Sequence, residues 1–256
     1  MYALPCLVAW HAVWWRGLAG HLRAAGIAPV PDTLRADLTP SALWARPDLL
    51  FAQTCGYPLT HAFAGRLQVV ATPCYDAPGC DGPFYCSVLV VRADHPARSL
   101  GDLAGTTAAA NEPESFSGHV ALREAMAAAR PGGSGFREIL WAGDHLGALA
   151  AVRAGRAAVC AVDAVTHALV RHHAPRRLTG LREIGFTRRA AGLPYVTRAD
   201  LDRATLGRLR QGLFAALADP ALAEARAALL LTGAEILPDD AYADIRRRSD
   251  SVAAGA

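Results

Sequence analysis

The chain contains no lysine, so all 26 of its basic residues are arginine. That absence excludes lysine Schiff-base chemistry, pyridoxal phosphate anchoring and a phosphate-loop lysine. Gly-x-Gly-x-x-Gly after a strand, Gly-x-Ser-x-Gly and His-Glu-x-x-His are also missing. With them go the common dinucleotide, nucleophile-elbow and zinc-protease fingerprints. Charge is sparse, at 19% of residues with a net value of +3, which excludes a chain that binds nucleic acid by bulk charge. The local runs at Arg171, Arg176 and Arg177 and at Arg246, Arg247 and Arg248 read as solvated helix ends. No run of about 18 uncharged apolar residues occurs, so no transmembrane helix and no membrane insertion is expected.

What is present is an apolar majority of 52% over 256 residues, enough for one large domain or two smaller ones with a substantial core. Met1–Trp10 lacks a basic region and a long apolar core, and reads as a first strand over Tyr2–Ala9 rather than an export signal. Cys74, Cys80 and Cys86 are evenly spaced, but they match no common zinc pattern, and no metal or cofactor is expected. Free, partly buried thiols are the expectation for all six cysteines. A Cys74–Cys80 bridge is the alternative in an oxidising compartment.

Helical and strand patterns alternate along the chain. A helix is expected over Val13–Ala25, from Trp14, Leu18 and Leu22. Short apolar runs at Asp48–Ala52, Leu67–Thr72, Phe84–Arg92, Thr106–Ala110, Phe136–Trp141, Ala157–Val162 and Leu181–Thr187 read as strands. Helices fall over Ser117–Ala129, Asp144–Ala154 and Ala164–His172, and the chain is mainly helical after Asp202. This alternation predicts an α/β architecture with largely parallel sheets.

The most informative stretch is Asn111-Glu-Pro-Glu-Ser-Phe-Ser-Gly-His119, between an expected strand and an expected helix. Ser115, Ser117 and Gly118 crowd the first helical turn. Unpaired backbone N–H groups and the positive dipole end suit a small anion there. Simple helix capping by Ser115 or Ser117 is the alternative reading of the same segment. Other candidates fall at similar junctions or on a crossover strand: Trp10, His11, Gln53, Thr54, Tyr57, Tyr85, Ser87, His119, His145 and Asp163. Open α/β sheets bind ligands at such places. Each also has a packing or capping reading, Asp163 as an N-cap above all.

Taken together, these segments resemble the phosphonate/phosphate-type periplasmic binding proteins of ABC transporters. The matching pieces are Phe51-Ala-Gln-Thr-Cys-Gly-Tyr-Pro-Leu, Asn111-Glu-Pro-Glu-Ser-Phe-Ser-Gly, Gly143-Asp-His-Leu-Gly-Ala-Leu-Ala-Ala-Val-Arg-Ala-Gly, Ala161-Val-Asp-Ala-Val-Thr and Leu193-Pro-Tyr-Val-Thr. The resemblance implies a type 2 periplasmic-binding-protein fold: two α/β lobes, 1–89 with 193–256 and 90–192, joined by crossover strands, with a ligand cleft between them. It implies a clamp on a small anionic or zwitterionic ligand, a permease as partner, no catalysis and a periplasmic location. Cytoplasmic placement is the alternative where no export signal is seen, and a monomer is the expected state.

By that match the ligand's oxygens fall to Ser115, Phe116, Ser117 and the Gly118 and His119 amides. Trp10, Gln53, Tyr57, Tyr85, His145 and Asp163 complete the expected set, with Asp163 available to a ligand amine. Phe116 stands where the family commonly has threonine, which implies a less phosphate-like ligand or one with an apolar group. The alternative function is an enzyme or sensor on the same fold, as in thiamine-pyrimidine or menaquinone biosynthesis, with His119, His145 and Asp163 in acid–base roles.

Overall fold

Leu7, Trp14, Trp15, Leu18 and Leu22 recur at the spacing of one helical face, and all are buried. In the computed structural model, which describes residues 2–35 and 37–254, the chain is accordingly helical from Val8 to Ala24 after a tight turn at Pro5–Leu7. The expected first strand over Tyr2–Ala9 is therefore corrected. A short apolar run suits strand or helix, and here the helical stripe beyond it extends back through it. Trp10 and His11 lie in this helix rather than at a strand end.

The helices in chain order are α1 (Val8–Ala24), α2 (Pro40–Trp44), α3 (Gly56–Thr60), α4 (Ala121–Ala129), α5 (His145–Arg153), α6 (Ala164–His173), α7 (Arg203–Ala218), α8 (Ala223–Ala228) and α9 (Ala243–Ala254). The strands are β1 (Ala52–Gln53), β2 (Leu67–Tyr75), β3 (Phe84–Tyr85), β4 (Ser87–Arg92), β5 (Thr107–Ala110), β6 (Glu138–Trp141), β7 (Val159–Asp163), β8 (Leu181–Phe186), β9 (Ala190–Ala191), β10 (Tyr195–Arg198) and β11 (Leu231–Glu235). Strand β11 interrupts the tail that reads as mainly helical.

The chain divides into two compact units. One comprises 1–76, 81–83 and 191–241, and the other 77–80, 84–190 and 242–256. Residues 84–89 and 242–256 fall in the second unit. In the first unit a sheet of order β1-β10-β2-β11 is antiparallel at each pairing. Helices α1 and α7 approach closely there because Gly212 has no side chain; a Cβ would lie 2.8 Å from Leu22 Cδ2.

In the second unit the sheet order is β6-β5-β7-β4-β8. Only β5 with β6 and β5 with β7 run parallel, while β4 runs against both β7 and β8. The expectation of largely parallel sheets is thus corrected to a mixed arrangement. Successive residues of β4 and β7 alternate between two cores. Val88, Val90, Cys160 and Val162 pack on the α5 side, and Leu89, Val91, Val159 and Ala161 pack with Leu122 and Met126 of α4. Burial on both faces explains the unbroken apolar runs of these strands. All six cysteines are free thiols, and burial pushes Cys74 and Cys86 up to about 11.

Candidate functional site

In the second unit the parallel strands deliver their C-terminal ends to two loops. After β5, Asn111 to Glu114 form a bend and a turn, with the Ser115 N–H donating to the Glu112 carbonyl at 3.3 Å. Ser115 then follows as an N-cap. Its Oγ accepts from the Gly118 N–H at 3.1 Å, so the capping reading is realised at this residue. The first turn, Phe116–Val120, is a wide π turn closed by Val120 N–H donating to the Ser115 carbonyl at 3.2 Å, and it runs directly into α4.

After β6, Gly143 takes a left-handed conformation with φ of 82°. Asp144 then caps α5 by accepting from the Gly147 N–H. Gly147 is required for the close approach, because a Cβ would meet the Ala142 carbonyl oxygen at 2.2 Å. These glycines and the cap place His145 at the start of α5, facing the π turn. Its Nε2 is 3.2 Å from Ser117 Oγ.

The turn is held from below by Ser87 of β4, whose Oγ donates to the Ser117 carbonyl at 2.8 Å. The Ser87 N–H in turn donates to Thr187 Oγ1 at 2.9 Å. Asn111, the chain's single asparagine, lies against Gly118 so tightly that a Cβ there would sit 1.9 Å from Asn111 Oδ1. Asn111 Oδ1 and His145 Nδ1 are both buried atoms without a hydrogen-bond partner. Two unsatisfied polar atoms beside one turn are unusual in a folded interior.

The second unit thus brings together Ser115, Phe116, Ser117, Gly118, His119 and His145. Their side chains do different things. The Phe116 ring is 2% exposed and lies under the Arg248 guanidinium, whose Cζ is 4.7 Å from the ring centroid. The His119 imidazole is bonded to the Pro113 carbonyl at 2.9 Å and meets the half-exposed Trp141 edge-on. Asp163 caps α6, with Oδ1 accepting from Val165 and Thr166 N–H at 2.8 and 3.1 Å. Tyr85 is buried on β3.

Trp10, Gln53 and Tyr57 belong to the first unit. There the Gln53 side-chain amide donates to Tyr75 Oη and to the Leu193 carbonyl, each at 3.1 Å. Tyr57 stacks on His61 with ring centroids 4.0 Å apart, and Trp10 is half-buried. Asn111 and Arg248 are not among the expected site residues, whereas Ser87 is, as a candidate on a crossover strand. The one local signal for Asn111 was its place at the head of the serine-rich stretch. Among the described residues no cluster of His, Cys, Asp and Glu could hold a metal ion.

Burial lowers the His145 pKa to about 4, against the raising effect of Asp144 and the backbone at Ala161. The ring is therefore neutral near pH 7. Because the folded value lies below the unfolded one, the stability contributed by the neutral ring is complete above pH ~6.5 and is lost as pH falls towards the folded value. His145→Gln removes this linkage. The stability difference between wild type and variant is expected to narrow on acidification, by at most about 3 kcal/mol. Thermal denaturation from pH 7.5 to 4.5 measures it, and a constant difference would contradict a neutral, buried His145.

Two α/β units with a serine-rich turn at strand C-termini define a two-lobed solute-binding protein of the type 2 periplasmic-binding-protein fold. The chain belongs to the family of phosphonate ABC transporter periplasmic substrate-binding proteins, whose model matches residues 46–242. Solved structures agree on the fold. A binding protein component of an ABC phosphonate transporter from Pseudomonas aeruginosa, PA3383, is 19% identical, with 95% of this chain and 82% of that one covered and a TM-score of 0.72. XAC2383 from Xanthomonas citri bound to ATP is 21% identical over 96% and 94%, with a TM-score of 0.68. PhnD1 from Prochlorococcus marinus in complex with methylphosphonate is 16% identical over 80% and 78%, with a TM-score of 0.66. Among curated proteins none matches. Among the described residues no helix is long and apolar enough to cross a membrane.

Proposed function

We propose that this chain captures a small oxyanion, a phosphonate or phosphate, on the Ser115–Gly118 turn and delivers it to an ABC permease from the periplasmic side as a monomer. The observation that carries this reading is the Ser117–His145 contact at the start of a helix, next to the unpartnered Asn111 Oδ1 and His145 Nδ1. In the neutral His145 tautomer that carries its proton on Nε2, the ring donates to Ser117 Oγ and the serine hydroxyl proton is left for a ligand oxygen. A half-turn of the Asn111 amide presents its NH2 group instead of its oxygen. Neutral donors and the dipole of the turn favour an anion without a cationic side chain in contact.

A serine–histidine contact is also the start of a hydrolytic dyad. Two features favour binding over catalysis. A histidine held at about 4 is a weak general base at neutral pH. Its Nδ1 also lacks the carboxylate that orients the base in a triad.

Ser117→Ala is expected to weaken methylphosphonate or phosphate binding by about 1.5–3 kcal/mol, the range for a hydrogen bond to a charged group. Titration calorimetry reads it. Equal affinity in wild type and variant would remove the Ser117 hydroxyl from the site.

A further inference from the structure

The run Arg246–Arg248 reads as a solvated helix end, yet Arg248 is only 5% exposed. It lies on α9, part of the second unit. Its Nε is 3.0 Å from each carboxylate oxygen of Glu124 on α4, and its Nη2 also bonds that carboxylate. Nη1 donates to the Arg189 carbonyl at 2.9 Å and Nη2 to the Arg188 carbonyl at 3.4 Å. Asp244 Oδ2 is 3.5 Å from Nη1. The guanidinium Cζ lies over the buried ring of Phe116, 4.7 Å from its centroid.

We propose that Arg248 is a positioning residue for the anion-binding turn: clamped to α4 and to the 188–189 backbone, it pins Phe116 and so fixes the serine hydroxyls on either side. The inference rests on the reading that Ser115–Gly118 holds the anion. Phe116 is the link between Ser115 and Ser117, so rotation of its backbone moves both hydroxyls. A planar guanidinium offers a fork for Glu124 and the carbonyls and a flat face for the ring at once. A lysine ammonium is a point charge and cannot do both. The Phe116 ring then serves the turn's placement, and the ligand is read by the neighbouring serines.

Arg248→Lys and Phe116→Leu test this, with Arg246→Lys as an α9 surface control. Backbone amide spectra of the ligand-free protein and calorimetry with methylphosphonate and inorganic phosphate are recorded where every variant is folded. Arg248→Lys and Phe116→Leu are expected to shift the Ser117 and Gly118 amide resonances and to weaken binding about fivefold to tenfold, as loss of a buried cation–π contact predicts. Arg246→Lys is expected to change neither.

Unmoved amides and wild-type affinity in Arg248→Lys, with only a lower melting temperature, would reduce Arg248 to a stabilising role and overturn the proposal. Should Arg248→Lys fail to fold, the same two readouts on Phe116→Leu decide. Should the wild type bind neither probe, the anion reading itself fails. The ligand-free amide shifts would still show whether Arg248 sets the turn.

Discussion

Gly118→Ala is expected to lower oxyanion affinity about a hundredfold. A methyl group at residue 118 would lie 1.9 Å from Asn111 Oδ1, 2.9 Å from Asn111 Cγ and 3.2 Å from His145 Cε1. The two contacts with Asn111 are not tolerable in place and the one with His145 is tight, so either Asn111 rotates out or the π turn moves away from α5. The second movement separates Ser117 from His145 and spoils two donors at once. Each hydrogen bond to a charged ligand oxygen is worth about 1.5–3 kcal/mol, and roughly 2.7 kcal/mol is a hundredfold in dissociation constant. Overpacking of this kind also costs about 1–3 kcal/mol of stability. Calorimetry and thermal denaturation of the one variant separate the two effects. Retained affinity with reduced stability would show that Asn111 yields and that the turn does not depend on this contact.

Glu124→Ala is expected to be the most destabilising single change near the site, at about 3 kcal/mol. It leaves the guanidinium of Arg248 buried without its main carboxylate partner. Removing one partner of a buried pair costs about 3–5 kcal/mol. The lower end applies because Asp244 and two backbone carbonyls remain close. In a chain of this size each kcal/mol is worth about 2–4 °C, so the melting temperature is expected to fall by about 10 °C. Glu124→Gln keeps an acceptor and is expected to fall less. A melting temperature unchanged in Glu124→Ala would mean that Asp244 alone neutralises Arg248.

The parts of the site that could be read from sequence are those built by contacts within a few residues. Ser115 caps its own turn three residues on, and Asp144 caps α5 through Gly147 in the same way. Such signals are local, and so they survive in a linear reading. The contacts of Ser87 and the role of Arg248 could not be found this way. Their partners lie 30 and 124 residues away, at the Ser117 carbonyl and at Glu124. Nothing about either residue type marks it in advance, and Arg248 sits in an arginine run that looks solvated.

Strand assignment failed for the same reason in reverse. Tyr2–Ala9 carries a locally strand-like composition, but the apolar stripe that continues to Leu22 makes it the start of a helical segment. Strand β11, Leu-Thr-Gly-Ala-Glu, has little strand character of its own and exists through its pairing with β2. The antiparallel pairings of β4 with β7 and β8 are likewise set by where the chain passes between units, a property no short window contains.

Thermal denaturation in the presence of candidate anions reads whether this chain holds a small oxyanion. Methylphosphonate, an aminophosphonate, phosphate, phosphite and sulfate are each titrated against the wild-type protein. A ligand at 100 times its dissociation constant adds about 2.7 kcal/mol to the folded state, a shift of several degrees. The account predicts a dose-dependent rise with a phosphonate or phosphate that is diminished in Ser117→Ala. A melting temperature that does not move with any of these anions, beside a rise with an uncharged organic compound, would contradict it.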